Sequence, residues 1–321
     1  FFVGGIQKMS RAFVFPGQGS QEVGMGLALA EAFPAAKLVF EEVDDALETR
    51  LSKIMFKGPI EDLTLTENTQ PALMAMSMAV MRVLEEEGGI KISEVVSFVA
   101  GHSLGEYSAL AAAGAIPLAE AARLLQTRGE AMQAAVPVGK GAMAAILGPN
   151  LEDVESIAAD AAEDQVCDVA NDNSDGQVVV SGNTEAVERA VEIAKERGAK
   201  RAMMLTVSAP FHCALLDPAA DVMTYALATA NITAPNPPVV ANVTAAPVSD
   251  PDEIRNLLVE QVTSRVRWRE CVLAMRDLGV DELCEIGAGK VLTGLNRRID
   301  RDLTGRAIGS PADIEEFLAT L

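Results

Sequence analysis

The sequence predicts an α/β protein: a large domain on a mostly parallel sheet, with a small inserted subdomain of βαββαβ order. Three observations lead there. Up to Ala135, short apolar runs alternate with segments of helical period, the pattern of parallel strands covered by helices on both faces. Residues 141–207 then spell strand, helix, strand, strand, helix, strand. After Pro210 the helix and strand alternation resumes. A length of 321 residues, 49% of them hydrophobic, suits one large domain plus an insertion and supplies a sizeable core.

Arg11–Phe15 (RAFVF) is the first expected strand, ended by the turn former Pro16-Gly17. Residues 71–87 read as a helix, with Pro71 in its first turn and Met74, Met76, Met78 and Met81 as core filler at helical spacing. Val95–Ala100 is a short apolar run fit for a buried parallel strand. Glu106–Ala113 and Leu118–Ala135 read as helices.

In the insertion, GAMAAIL (141–147) is a strand and 151–163 a helix. QVCDVAN (165–171) and QVVVSG (177–182) are strands joined by a DNSDG turn. TEAVERAVEIAKERG (184–198) is an amphipathic helix with Thr184 as N-cap and Gly198 as stop, and RAMMLTV (201–207) closes the unit. This order is ferredoxin-like. A helix follows Pro210, a strand lies near Val239–Asn242, helices run to Leu278, DELCEIG (281–287) is a late strand, and 311–321 is a generic helix. The expected division is 9–138 with 208–321 for the large domain and 139–207 for the subdomain. Residues 1–8 precede a start expected at Met9 and are read as an appended segment outside the fold.

The net charge of −20 offers no general cationic field for phosphates, so nucleic acid is excluded as the main ligand. Cys167, Cys213, Cys271 and Cys284 form no CxxC pair, and there are two histidines, so no structural metal site is expected. Free thiols fit a reducing compartment, and the expected location is cytoplasmic. Residues 222–249 carry no charge but hold Pro235, Pro237, Pro238 and Pro247, which does not make a membrane helix.

The chemistry centres on Gly101-His102-Ser103-Leu104-Gly105, a GxSxG pattern. A strand feeds it and a small-residue helix leaves it, the α/β-hydrolase-like elbow that exposes a serine hydroxyl on a tight turn. A side chain at either flanking glycine would collide across that turn. The helix start also sets backbone N–H groups beside the hydroxyl, ready for an oxyanion. A serine attacking at neutral pH needs a base. His102 adjoins Ser103 and should point away from it, back toward the sheet, which leaves His212 in VSAPFHCALLDP. Asp164, Asp168, Asp172 and Asp175 are the acids a Ser…Asp…His order would offer, and all look solvated; a dyad whose imidazole is oriented by backbone carbonyls is sufficient. FPGQGSQ (15–21) is either a second oxyanion donor or a plain glycine turn. EIGAGKVLTG (285–294) fits neither a phosphate loop nor GxGxxG and reads as a strand-to-helix turn. Cys213, next to His212, reads as a buried thiol.

Taken jointly, FPGQGSQ, TQPAL, AGHSLGEYSAL, TRGEAMQ, GAMAAILG, SAPFHC and GKVLTGL resemble the malonyl-CoA:acyl-carrier-protein transacylases of type II fatty acid synthesis, from about Arg11 onward. The acyltransferase domains of polyketide synthases share these motifs. The resemblance implies that Ser103 is acylated by malonyl-CoA and that the phosphopantetheine thiol of acyl carrier protein then takes the acyl group. It implies His212 as base and acid, the backbone N–H groups of Gln18 and Leu104 as oxyanion hole, and Arg128 as partner of the malonyl carboxylate. It further implies the backbone carbonyl of Gln261 as support for the histidine, Met132 as a pocket wall, and Phe211 as a limit on acyl size. No bound cofactor or metal is implied. Ala288 stands where the family's glycine turn would carry proline.

The rival readings are a serine esterase or thioesterase on the same Ser103–His212 pair and a non-catalytic scaffold. An acidic carrier protein would be repelled by the net charge, so a local basic patch is expected. The candidates are Lys195, Arg197, Lys200 and Arg201; Arg265, Arg267 and Arg269; or Arg297, Arg298 and Arg301.

Overall fold

The computed structural model describes residues 10–321, so the expected start at Met9 and the segment ahead of it lie outside the described residues. The strands in chain order are β1 (Arg11–Phe15), β2 (Phe98–Gly101), β3 (Gly141–Leu147), β4 (Cys167–Ser174), β5 (Gln177–Asn183), β6 (Arg201–Met204), β7 (Val239–Val240), β8 (Pro247–Val248), β9 (Glu282–Ile286) and β10 (Thr304–Ile308). One sheet runs β10–β9–β1–β2–β7–β8 and is parallel except for the β7/β8 pair. The other runs β4–β5–β3–β6 and is antiparallel throughout.

Each sheet has the cover its sequence pattern asks for. Along β1, Phe13 and Phe15 enter the largest apolar core, while Ala12 and Val14 face the opposite side with Trp268, Val272 and Met275. Successive strand side chains point to opposite faces, so a strand buried on both faces reads as an unbroken apolar run. In the small sheet, Ala144, Ile146, Val178 and Val180 pack against the Leu151–Ala162 and Thr184–Glu196 helices as a separate core. The strand order and the two helices give the ferredoxin-like arrangement.

Several element bounds differ from expectation. The helix expected over 71–87 spans Thr66–Glu86, so Pro71 lies inside it rather than in its first turn. The Val95–Ala100 run divides: Ile92–Val95 is a helical turn, and the strand begins at Phe98, where pairing with Ala12 to Phe15 of β1 starts. Asn183, not Thr184, is the N-cap, and the Thr184 hydroxyl donates instead to the Gly139 carbonyl at 2.9 Å. The strand expected over 201–207 stops at Met204, its last residue paired with β3. Beyond it, Leu205, Thr206 and Val207 turn to line a cavity between the two sheets.

The sheets are joined through β4. The Asp172 N–H donates to the Val266 carbonyl at 3.0 Å, and the Val266 N–H donates to the Ala170 carbonyl at 2.8 Å. Arg269 adds an ion pair to Asp172 at 2.9 Å. Among the described residues, no helix is long and apolar enough to cross a membrane.

Candidate active site

β2 ends at Gly101 and a helix begins at Gly105, so the chain turns sharply through His102, Ser103 and Leu104. Ser103 sits at φ 54°, a left-handed conformation that costs a non-glycine residue energy and persists only where its surroundings enforce it. The flanking glycines are steric requirements: a Cβ on Gly101 would lie 1.9 Å from the Gly105 backbone, and one on Gly105 would lie 2.3 Å from the Phe15 carbonyl oxygen. Asn242 anchors the turn from below. Its Oδ1 accepts the Ser103 N–H at 2.8 Å, and its Nδ2 donates to the Gly101 carbonyl at 2.7 Å.

The Ser103 hydroxyl lies 2.7 Å from Nε2 of His212. The opposite ring nitrogen, Nδ1, lies 2.8 Å from the Gln261 backbone carbonyl. A carbonyl only accepts, so Nδ1 carries the hydrogen and Nε2 is left with the lone pair that faces the hydroxyl. Burial, and then the charge of Arg128, push the His212 pKa down to about 3, which keeps the ring neutral. His102 lays its ring against Trp268, 5.7 Å between centroids, with Nε2 2.8 Å from Asn173 Oδ1, and takes no part in the hydrogen bonding of Ser103.

Arg128 is fully buried on the Leu118–Ala135 helix. Nη1 donates to Gln70 Oε1 at 2.8 Å, and Nη2 donates to Gln261 Oε1 at 2.9 Å and to Ser103 Oγ at 3.2 Å. Its carbon lies 5.7 Å from the Tyr107 ring centroid. Nε has no partner, and no carboxylate forms an ion pair with the group among the described residues. The glycine that follows makes this placement reachable. A Cβ on Gly129 would lie 2.6 Å from Glu67 Cα, so only glycine lets this helix approach Thr66–Glu86 closely enough to bring Arg128 onto Gln70.

A cavity of about 330 Å³ opens over these groups. Ser103, His212, Arg128, Phe211, Gln18 and Leu104 all line it. The backbone N–H groups of Gln18 and Leu104 donate to no acceptor among the described residues, which leaves both free for an incoming oxygen. Met132 is not a lining residue; it is buried behind the wall, its Sδ 3.7 Å from Gln70 Nε2. Gln261 likewise lies behind His212 and Arg128. The Cys213 thiol is buried, donates to the Pro210 carbonyl, and is pushed up to about 11 by burial.

The candidate acids stay outside the site. Asp172, expected to be solvated, is 1% exposed because it pairs with Arg269, and it makes no bond to His212. Asp168 accepts the Ala214 N–H at 2.9 Å. The site also recruits residues that sequence reasoning missed: Gln70, Asn242, and the wall residues Asn171, Asn173, Met143 and Val179. Gln70 stands in the quoted TQPAL motif. Nothing near Asn242 marks it.

The acyl transferase domain family matches residues 12–299. The malonyl CoA-acyl carrier protein transacylase of Bacillus subtilis (strain 168) is 46% identical over 311 residues, covering 97% of this chain and 96% of that protein. The crystal structure of an acyl-carrier-protein S-malonyltransferase from Bartonella henselae superimposes with a TM-score of 0.95 at 57% identity, covering 97% of this chain and 99% of the other. A type II polyketide acyl-carrier protein in complex with its malonyl-transacylase supplies another match, with TM-score 0.94, 45% identity, and coverage of 97% and 100%. With matches of one kind along nearly its whole length, the chain belongs to the malonyl CoA-acyl carrier protein transacylase family.

Proposed function

We propose that this chain moves a malonyl group from malonyl-CoA to the phosphopantetheine thiol of acyl carrier protein, with Ser103 carrying it in between. The observation that supports this most is the juxtaposition of a serine–histidine pair with a buried arginine that forms no ion pair with a carboxylate among the described residues. Nε2 of His212 takes the Ser103 proton as Oγ attacks the thioester carbonyl. The developing oxyanion is met by the N–H groups of Gln18 and Leu104. Collapse expels the CoA thiolate, which takes the proton back from the imidazolium. In the second half, His212 Nε2 takes the proton of the carrier thiol as its sulfur attacks the seryl ester carbonyl; collapse forms the new thioester, breaks the bond to Ser103 Oγ, and the imidazolium returns a proton to that oxygen.

Arg128 selects the donor. A malonyl carboxylate can meet the guanidinium directly, whereas an acetyl group leaves a buried cation unpaired. Phe211 and Val207 line the same cavity, and in this reading they limit the size of the acyl group. Residues 139–207 act in this reading as a subdomain whose wall closes the cavity over the elbow, the rest of the chain forming the catalytic domain. The four free cysteines suit a cytoplasmic location.

Incubation with malonyl-CoA followed by intact-mass measurement tests the reading. A malonyl adduct is expected on the wild-type chain and none on Ser103→Ala. Absence of any wild-type adduct would overturn it, and rapid loss of the adduct to water with no thiol present would mark a hydrolase instead.

A further inference from the structure

Beneath the elbow lies a buried carboxylate that the mechanism above does not use. Glu106, 2% exposed, sits in the first turn of the helix that leaves Ser103. Its Oε2 accepts the Asn242 backbone N–H at 2.9 Å and the Gln261 Nε2 at 2.9 Å. Neither donor is incidental. Asn242 holds the Ser103 N–H through its Oδ1, and Gln261 touches both His212 and Arg128. Its backbone carbonyl faces His212 Nδ1, and its side-chain Oε1 accepts from Arg128.

A carboxamide has one donor end and one acceptor end, so the group that takes the donor end decides where the acceptor points. Gln261 Nε2 also reaches the Ser103 carbonyl at 3.1 Å and Asn242 Oδ1 at 3.3 Å, but among the described residues Glu106 is its one ionisable acceptor and lies nearest. We propose that Glu106 is a positioning residue: by holding Gln261 and Asn242 from below, it aims the Gln261 carboxamide oxygen at Arg128 and fixes the strand-end backbone that carries Ser103. The inference deepens the preceding reading and rests on it.

The role is geometric. One oxygen takes both bonds, so a neutral amide oxygen in its place can take them as well. The charged and titratable groups facing Glu106 are Arg128, Tyr107 on its own helix, and Cys271 from the Trp268–Asp277 helix. Glu106 lies near Arg128 without a direct ion pair among the described residues, and the guanidinium Nε keeps no partner.

The test compares Glu106→Met, which keeps the volume and removes the acceptor, with Glu106→Gln, which keeps an acceptor oxygen. Single-turnover acylation of Ser103 by malonyl-CoA and by acetyl-CoA is followed by intact mass, with thermal melting to confirm the fold. Glu106→Met is expected to slow malonyl acylation roughly ten- to hundredfold and to lower the malonyl-to-acetyl preference, since Arg128 loses its aim. Glu106→Gln restores both. In a double-mutant cycle, Glu106→Met adds less to Gln261→Ala than it costs alone, because part of its effect runs through Gln261 and part through Asn242. Should Glu106→Met not fold, Glu106→Asp makes the same comparison, its carboxylate one methylene short of Gln261. Wild-type rate and preference in the folded variant, or fully additive losses in the cycle, would overturn the proposal. A wild-type chain that takes no malonyl adduct defeats the underlying reading instead.

Discussion

His212 Nε2 lies 2.7 Å from Ser103 Oγ, and both residues hold left-handed backbone, at φ 58° and φ 54°. Two strained non-glycine residues in contact show that neither turn adopts its shape for local comfort. The elbow is enforced by Gly101, Gly105 and Asn242, and the imidazole by the Gln261 carbonyl. Such a pair is set before substrate arrives, so little reorganisation is left to the reaction.

The first prediction concerns the pH range of the base. His212 is held down to about 3 by burial and by Arg128, so it stays neutral well below the ordinary imidazole value. kcat/KM for malonyl-CoA, which reports the free enzyme, is expected to show no His212 limb between pH 8 and 5. A bound malonyl carboxylate offsets Arg128, so the kcat limb is expected at higher pH than the kcat/KM limb. Glu106, pushed up to about 7 by burial, also titrates in this window, and comparing profile shapes with Glu106→Gln separates it from His212. A kcat/KM limb near 6.5 that survives in Glu106→Gln contradicts the neutral base.

The same two groups pull stability in opposite directions. Folding raises Glu106 from 4.5 to about 7, so its contribution is full below 4.5 and is lost as pH rises through 7. Folding lowers His212 from 6.5 to about 3, so its contribution is full above 6.5 and is lost as pH falls through 3. Between 4.5 and 6.5 the slopes oppose. Glu106→Gln removes one of them and is expected to lose melting temperature on acidification from pH 6.5 to 4.5 more steeply than wild type. Parallel curves for the two proteins would show that Glu106 is not titrating there.

Arg128→Ala is expected to cut malonyl acylation by about a hundredfold or more, the scale of leaving one partner of a buried charge pair alone. Acetyl acylation is expected to hold or rise, because the uncompensated buried cation is gone. Competition between the two CoA esters, read by adduct mass, measures the change; an unchanged ratio removes Arg128 from donor selection.

Gly129→Ala tests how packing feeds the site. The added methyl meets Glu67 Cα at 2.6 Å, which is backbone and cannot rotate away. Prying the two helices apart is expected to cost about 1–3 kcal/mol of stability. It also withdraws Arg128 from Gln70, so malonyl acylation should suffer more than acetyl acylation. Equal losses on the two donors would make the glycine a packing requirement alone.

What was legible in the sequence was local. Apolar runs and turn residues marked β1, β2, β3, β5 and β9, because a strand buried on both faces writes itself as a continuous run. GxSxG marked Ser103 because an elbow tolerates only glycine at its flanks, and the scarcity of histidine pointed to His212. The amphipathic Pro34–Leu47 helix, burying Val39, Phe40, Val43 and Leu47, passed unread although its spacing is regular. β10, half-exposed and short, gave little signal. Asp172 looked solvated because burial by a partner 97 residues away leaves no local mark. Asn242 and Glu106 were silent as site residues for the same reason: each acts by a hydrogen bond across more than a hundred residues of chain.

The last prediction concerns the carrier protein, an acidic partner for an acidic chain. Of the three basic groups in the sequence, Arg265, Arg267 and Arg269 are each matched by a carboxylate: Glu155, Glu270 and Asp172. Lys195 and Arg197 are matched by Glu192 and Asp160. Lys200, Arg201, Arg297, Arg298 and Arg301 form no ion pair among the described residues. Lys200 and Arg298, far apart in sequence, line one surface hollow of about 420 Å³ with Asn150 and Asp175, and Arg298 donates to Gln177 Oε1 at 2.6 Å. Cations already neutralised gain little from a second carboxylate, while unmatched ones steer an acidic partner and do so less at high salt. Lys200→Glu combined with Arg298→Glu is expected to raise KM for carrier protein by about tenfold at low salt, with the gap from wild type shrinking as salt rises. Transfer to free pantetheine, which carries no acidic surface, should be unaffected. If charge reversal at Arg265 and Arg267 impairs the protein acceptor selectively and the Lys200–Arg298 pair does not, docking lies on the matched arginines and the charge argument fails.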